Sequence, residues 1–145
     1  MIRAALLAVV VTACSRPAPL ASCDPDLSGS YDVDGKPWMV LDAGDTVEAY
    51  PLFADVPAAP GLEVAPRWIA MQRDARGIAG AVMRRYMHGS TSCVAHAPAR
   101  ITACHDDTID IVLADPVAPL ALAPTCTFPH RDVGRRESWH RVLTR

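Results

Sequence analysis

Residues 27–41 read Leu-Ser-Gly-Ser-Tyr-Asp-Val-Asp-Gly-Lys-Pro-Trp-Met-Val-Leu, and this stretch decides the fold class. Leu27–Val33 carries aromatic and β-branched residues among polar ones, which is typical of a strand. Asp34-Gly35 is a preferred two-residue hairpin turn, so Pro37–Leu41 is expected to return antiparallel to the first strand. The folded part of the chain is therefore predicted to begin with a β-hairpin.

Short segments of the same kind follow, separated by turn residues about every ten positions. Such a pattern predicts an all-β domain, an antiparallel up-and-down barrel or half-barrel of about eight short strands. Cys93 and Cys104 are expected to face each other across a hairpin that turns near Pro98. The other strands are predicted at Thr46–Phe53, Leu62–Arg73, Ile78–Met87, Thr108–Leu113 and Glu137–Leu143.

One segment, residues 67–88, also fits an amphipathic helix, because its apolar residues recur at helical spacing. Gly77 and Gly80 would each cost a helix interior about 1 kcal/mol relative to Ala. Arg76-Gly77 suits a turn. The hairpin is therefore favoured, and the helix stays open as the alternative.

The motif Leu27-Ser-Gly29-Ser-Tyr31 resembles the Gly-x-Trp/Tyr opening of lipocalin-like (calycin) barrels, with Tyr31 in place of the usual Trp. In that family an Arg of the last strand packs over the opening aromatic residue, and Arg141 beside Trp139 is placed to do so. The resemblance covers two short segments near the ends of the domain. It implies a barrel and does not imply a particular ligand.

The N-terminus reads Met-Ile-Arg-Ala-Ala-Leu-Leu-Ala-Val-Val-Val-Thr-Ala-Cys, a charged residue followed by an apolar run too short to span a bilayer. Its end resembles the lipobox of bacterial lipoproteins, whose Cys is acylated on the thiol and, after cleavage, on the amine. The resemblance implies a signal peptide (1–13), a lipidated tether beginning at Cys14 (14–22) and one β domain (23–145). Ser15 favours the outer membrane. A plain secretory signal, or a chance apolar N-terminus on a cytosolic protein, is the alternative.

Four of the five cysteines remain after Cys14, an even number in an exported chain, which predicts two disulfides. Three pairings are possible. The pairing Cys93–Cys104 with Cys23–Cys126 is favoured, because the first would close a short hairpin and the second would tie the N-terminal segment to the last third of the chain.

The formal net charge of −2 gives no basic excess for phosphates, so nucleic acid is not expected as a partner. The leading hypothesis is a non-catalytic binding protein that holds a small amphiphile in the barrel or a protein partner on its surface. Arg84-Arg85 and Arg135-Arg136 are expected to be solvated. The candidate ligand-binding residues are the inward aromatics and one cation, Trp38, Trp68, Tyr86, Trp139 and Arg141.

Two other function classes stay open, although no cofactor is expected. Cys93-x-x-His96 with Cys104-His105 has a zinc composition if the thiols are free, and Met71, Met83 and Met87 with His88 would suit copper. His88-Gly-Ser90 and Asp106-Asp107 supply residue types for hydrolysis, but the sequence contains no Gly-x-Ser-x-Gly motif. A catalytic role is therefore not expected.

Overall fold

The structure is a computed structural model that describes residues 23, 26–54, 61–116, 126, 128 and 134–142. The predicted signal peptide (1–13), the lipidation site Cys14 and the tether (14–22) lie outside the described residues. Within the described ranges, none of the elements is a helix of the length and apolarity that a membrane crossing needs.

The described part of the chain is all-β, as the sequence predicts. Its nine strands are β1 (Gly29–Val33), β2 (Lys36–Asp42), β3 (Thr46–Pro51), β4 (Glu63–Val64), β5 (Trp68–Asp74), β6 (Gly77–His88), β7 (Thr91–His105), β8 (Thr108–Leu113) and β9 (Arg135–Arg141).

Eight of these strands close into an antiparallel barrel, and the two-residue β4 pairs with the C-terminal end of β6. The order around the barrel is β6-β5-β3-β2-β1-β9-β8-β7, and β7 returns to β6. We call the two ends the rim end and the tether end. The β1–β2 and β6–β7 turns, the last residues of β3 and β8 and the first residues of β5 and β9 lie at the rim end. The other turns and the entry of the chain at residues 26–28 lie at the tether end.

The two predicted hairpins that rest on Asp-Gly and Arg-Gly turns are confirmed. Asp34 and Gly35 both have positive φ, 53° and 76°, as the two-residue turn of a right-twisted hairpin requires. Residues 68–74 pair with 77–83 in strict antiparallel register, so the helical alternative for 67–88 is wrong. The spacing of these apolar residues also fits a helix, but pairing with neighbouring strands buries several of them on the inner face of the barrel.

The predicted hairpin between Cys93 and Cys104 is wrong, because both residues lie on the single 15-residue strand β7. Its inward positions are small residues that alternate with exposed ones without a break at Pro98. Among the described strands, β8 pairs with β7 only from Ala99 onward. Pro98 lies just beyond this ladder, where its carbonyl accepts the Ala114 amide at 2.9 Å and its ring nitrogen has no hydrogen to return the bond, so the proline ends the β7–β8 pairing.

The disulfides pair Cys23 with Cys104 and Cys93 with Cys126, so the favoured pairing is wrong and the prediction of two disulfides is confirmed. Eleven positions along one strand separate Cys93 from Cys104 by roughly 30 Å or more, far beyond the reach of a disulfide. Cys23–Cys104 fastens the N-terminal segment to the tether end, and Cys93–Cys126 fastens the β8–β9 connection to the rim half of β7.

The barrel interior between the two ends is packed with side chains. Leu27 closes the tether end, and the Tyr31 hydroxyl donates a hydrogen bond to the Leu27 carbonyl at 2.9 Å. Burying large aliphatic and aromatic side chains in this way contributes roughly 1.5–3 kcal/mol each. The largest fully buried side chains are Trp38, Trp139, Tyr31, Tyr86, Leu27, Ile69, Ile101, Ile111 and Leu113.

Asp42 organises the tether end from a nearly fully buried position. Its carboxylate accepts the Leu27 and Gly44 amides, each at 2.9 Å, and is also paired with the Arg73 guanidinium. A buried carboxylate is stable when its oxygens are occupied in this way. One side chain thus joins the N-terminal segment, the β2–β3 turn and β5.

Candidate functional site

A cleft of about 330 Å³ opens at the rim end, between the β1–β2 turn and the rim-end half of β9. It forms because β1 is short: β1 pairs with β9 only through Tyr31 and Asp32, which leaves residues 135–139 beyond that pairing. We call this feature the rim cleft. Its lining residues are Val33, Asp34, Lys36, Trp38, Arg67, Arg135, Arg136 and Glu137.

Aromatic rings form the floor of the rim cleft. The ring centroids of Trp38 and Trp139 are 4.8 Å apart, and the Arg67 guanidinium lies 5.2 Å from the Trp38 ring. The Trp139 indole donates to Glu137 Oε2 at 3.0 Å. Cation–π stacking and the indole hydrogen bond hold a cation and an anion in fixed positions above the core.

A continuous ion-pair network crosses the rim cleft. Asp115 accepts from Arg67 Nη1 at 2.8 Å and from Arg135 Nη1 at 2.6 Å. Arg135 Nε also donates to Glu137 Oε1 at 2.7 Å. Because several fixed charges share these contacts, the two guanidinium groups are held more rigidly than in isolated surface pairs.

Two further cations, Lys36 and Arg136, stand at the edge of the rim cleft. Lys36 Nζ lies 5.4 Å from the centroid of the Phe53 ring, and Arg136 projects from the outer face of β9. Neither makes an ion pair with a carboxylate in the described ranges. With Asp34, Asp115 and Glu137 counted against the four cations, the rim cleft keeps a surplus of one positive charge.

The five predicted ligand-binding residues do not form one site. Trp38 lines the rim cleft and Trp139 packs beneath it, whereas Trp68 lies on the outer face of the barrel. Tyr86 stacks on Phe128, with ring centroids 5.6 Å apart. Arg141 lies at the tether end, with its guanidinium 5.6 Å from the Tyr31 ring, the contact that the calycin resemblance implies.

Arg135 was expected to be solvated, and its side chain is 51 % exposed, but its ion pairs with Asp115 and Glu137 were not predicted from the sequence. Arg84, also expected in solvent, is buried on the inner face of β6. For Glu137 a signal was present in the alternation of β9, because Glu137 lies two positions from Trp139 and so faces the same side of the sheet.

The alternative metal and hydrolase residues are not brought together. Cys93 and Cys104 are in disulfides, and no group of three or more His, Cys, Asp or Glu side chains in the described ranges could hold a metal ion. Met71 points inward, whereas Met83 and Met87 lie on the outer face. His88 and Asp106 lie at opposite ends of the barrel, at the two ends of β7.

In comparisons with known proteins, no protein family, no curated protein and no solved structure matches this chain.

Proposed function

We propose that this protein is a lipid-anchored, non-catalytic binding protein of the bacterial envelope whose rim cleft holds a small molecule with a carboxylate group. The observation that carries the proposal is the positive surplus of the rim cleft, set above the Trp38 and Trp139 rings. A pocket of about 300 Å³ or more with a few convergent polar groups is the usual form of a small-ligand site.

The packed core explains why the ligand is assigned to the rim cleft rather than to the centre of the barrel. The interior positions of β2, β8 and β9 are occupied by Trp38, Ile111 and Trp139, each about 1 % exposed or less. An eight-stranded barrel has room for side chains or for one small ligand, and here side chains take that room.

The position of the rim cleft is compatible with anchoring through Cys14. The Cys23–Cys104 disulfide and the Asp26–Leu27 contacts bring the chain in at the tether end. The nine residues from Cys14 to Cys23 span at most about 30 Å. A lipid on Cys14 would therefore hold the tether end near the membrane and leave the rim cleft facing away from it.

The cations of the rim cleft divide into two roles under this proposal. Arg67 and Arg135 are already held by ion pairs with Asp115, so they fix the shape of the site and its electrostatic potential. Lys36 and Arg136 stand at the edge and supply the positive charge that the incoming carboxylate contacts. Attraction of this kind is weakened by salt, since both groups are solvent-exposed.

The test is a titration of the ¹⁵N-labelled protein with benzoate, and with benzyl alcohol as an uncharged probe of similar size. We expect saturable shifts of the Trp38 indole and of the Arg67 and Glu137 amides, with a dissociation constant on the order of 1 mM for so small a probe. The Lys36→Gln/Arg136→Gln variant should bind benzoate about tenfold more weakly. Arg85→Gln, an exposed arginine on the outer face of β6, is the matched control.

Two results would overturn the proposal. One is equal binding of benzoate and benzyl alcohol. The other is a set of benzoate-induced shifts that does not change when Lys36 and Arg136 are neutralised.

A further inference from the structure

On one side of the barrel exterior, formed by β2, β3, β5, β6 and β7, two rows of outward side chains contain a single carboxylate, that of Glu48. The register places these outward side chains in rows that run across the strands. One row is Leu41, Glu48, Ala70, Ala81 and Pro98, and the next is Met39, Tyr50, Trp68, Met83 and His96. We call these two rows the apolar wall.

Large apolar side chains of the apolar wall are open to solvent. Leu41 is 52 % exposed, and Tyr50 is 37 % exposed. A shallow groove of about 340 Å³ runs along the tether side of the first row, where its lining includes Ala70 and Ala81 of that row and Gln72 and Ala79 of the adjacent row, to which Arg100 also belongs. Contiguous exposed apolar surface of this kind marks an interaction site more often than chance.

Two charges at this wall are left without an opposite charge. Glu48 is bonded to the Tyr50 hydroxyl, and within the described ranges it has no cationic partner. Arg100 on β7, one row nearer the tether end, makes no ion pair there either. Three strand spacings, about 14 Å, separate β3 from β7, so the two charges cannot pair within one molecule.

We propose that the apolar wall is an interface between two copies of this chain, related by a two-fold axis that runs along the strands between β5 and β6. This rotation places β3 of one copy opposite β7 of the other. Glu48 then faces the region of Arg100 in the second copy, and the relation is repeated by symmetry, as in every isologous dimer.

The centre of the apolar wall suits close approach of the two barrels. Under the two-fold rotation, Ala70 faces Ala81 of the second copy, so the shallow groove offsets the convex curvature of each barrel. The axis also leaves both tether ends on the same side. Two copies anchored in one membrane could pair side by side without crossing their tethers.

The size of the wall sets the strength of the dimer. Five strands about 4.8 Å apart, crossed at about 7 Å intervals by the two rows of the wall and the adjacent row that contains Arg100, give a footprint of roughly 500 Å² per copy. Interfaces of this area belong to the weak, transient class. We therefore expect a dissociation constant on the order of 10 µM for the dimer, and pairing that is favoured when two anchors confine the copies to a surface.

The test is sedimentation equilibrium of the full chain in a density-matched detergent. Ala81→Arg, which fills the groove with a charge, should raise the dimer dissociation constant at least about 30-fold. Glu48→Arg and Arg100→Glu should each raise it about tenfold, and the double variant should restore it to within about threefold of the wild type. Arg76→Glu, at a fully exposed turn position, is the matched control and should change nothing.

The charge exchange keeps the test independent of folding, because a misfolded single variant would not be rescued by the second change. A monomeric wild type at 200 µM would overturn the proposal. So would a dimer that tolerates Ala81→Arg, or single variants that the double exchange fails to restore. The dimer stands apart from the rim cleft, so neither result depends on benzoate binding.

Discussion

Arg141 on the last strand lies over Tyr31 on the first, with its guanidinium carbon 5.6 Å from the ring centroid. Arg141 Nε donates to the Tyr31 hydroxyl at 3.1 Å, and Arg141 Nη2 donates to the Asp26 carbonyl at 2.9 Å. Gly29, at φ 150°, passes beside the same side chain. One arginine therefore joins β9, β1 and the entering segment where the barrel closes.

Replacing Arg141 by leucine is expected to lower the free energy of unfolding by about 2–3 kcal/mol. The change removes a cation–π contact and two hydrogen bonds, and it leaves the buried Tyr31 hydroxyl with one partner fewer. Urea unfolding followed by tryptophan fluorescence measures the loss. Arg136→Leu, an exposed arginine on the same strand, is the control and should cost less than about 0.5 kcal/mol. Equal stability of the two variants would contradict the assigned role of Arg141.

The fold class was predictable because the alternation of apolar and polar residues and the positions of turn residues indicate the same strands along most of the chain. Asp34-Gly35 favours a two-residue hairpin turn, and both residues have the positive φ that this turn needs. The alternation of Ile109 and Ile111 with polar neighbours favours a strand, and Thr108–Leu113 is one. Pro98 was misread as a reversal because a proline at the end of a strand ladder has the same sequence signal as a proline in a turn. The pairing of Cys93 followed that error.

The candidate site was less predictable than the fold. The rim cleft depends on the short β1 and on contacts such as Arg67–Asp115, which joins residues far apart in the chain. No local sequence pattern indicates that Arg67 and Asp115 form an ion pair. Glu137 could have been placed from the alternation of β9, but its partner Arg135 required the geometry of the cleft.

Gly80→Ala is expected to destabilise the β5–β6 hairpin by about 3 kcal/mol. A Cβ atom at Gly80 would lie 2.1 Å from the Ala70 carbonyl oxygen and 2.6 Å from the Met71 Cα, so the backbones must separate. Overpacking of this kind typically costs 1–3 kcal/mol and occasionally more. Gly44→Ala, in open space at φ 88°, should cost only about 1 kcal/mol from backbone strain. Thermal unfolding of both variants makes the comparison, and a larger loss for Gly44→Ala would refute the close approach.

The two disulfides are expected to contribute unequally to stability. Their sequence separations are 81 for Cys23–Cys104 and 33 for Cys93–Cys126. In the chain-entropy model, loops of these lengths contribute about 4.5 and about 4 kcal/mol. Replacing each pair by serine and measuring urea unfolding should therefore show the larger loss for Cys23–Cys104. Mass spectrometry of unreduced peptides checks the pairing, and a peptide that links Cys93 to Cys104 would disprove it.

The Tyr50 hydroxyl donates to Glu48 Oε2 at 2.5 Å, and this hydrogen bond is the main reason that the pKa of Tyr50 is raised above its usual value of 10.0. Partial burial and repulsion from the Glu48 carboxylate act in the same direction. Because the folded-state pKa is the higher one, the associated stability is present below about pH 10 and is lost as the pH rises through the folded-state pKa.

Glu48→Ala, which removes the acceptor, should therefore lower the pKa of Tyr50 toward 10, which a pH titration of the tyrosine ¹³Cζ resonances measures directly. Tyr86 is the internal control, since its pKa is raised chiefly by burial and its ring lies away from Glu48. Glu63→Gln, at an exposed carboxylate on β4, should shift neither tyrosine. If Tyr50 kept its raised pKa in Glu48→Ala, the hydrogen bond to Glu48 could not be its cause.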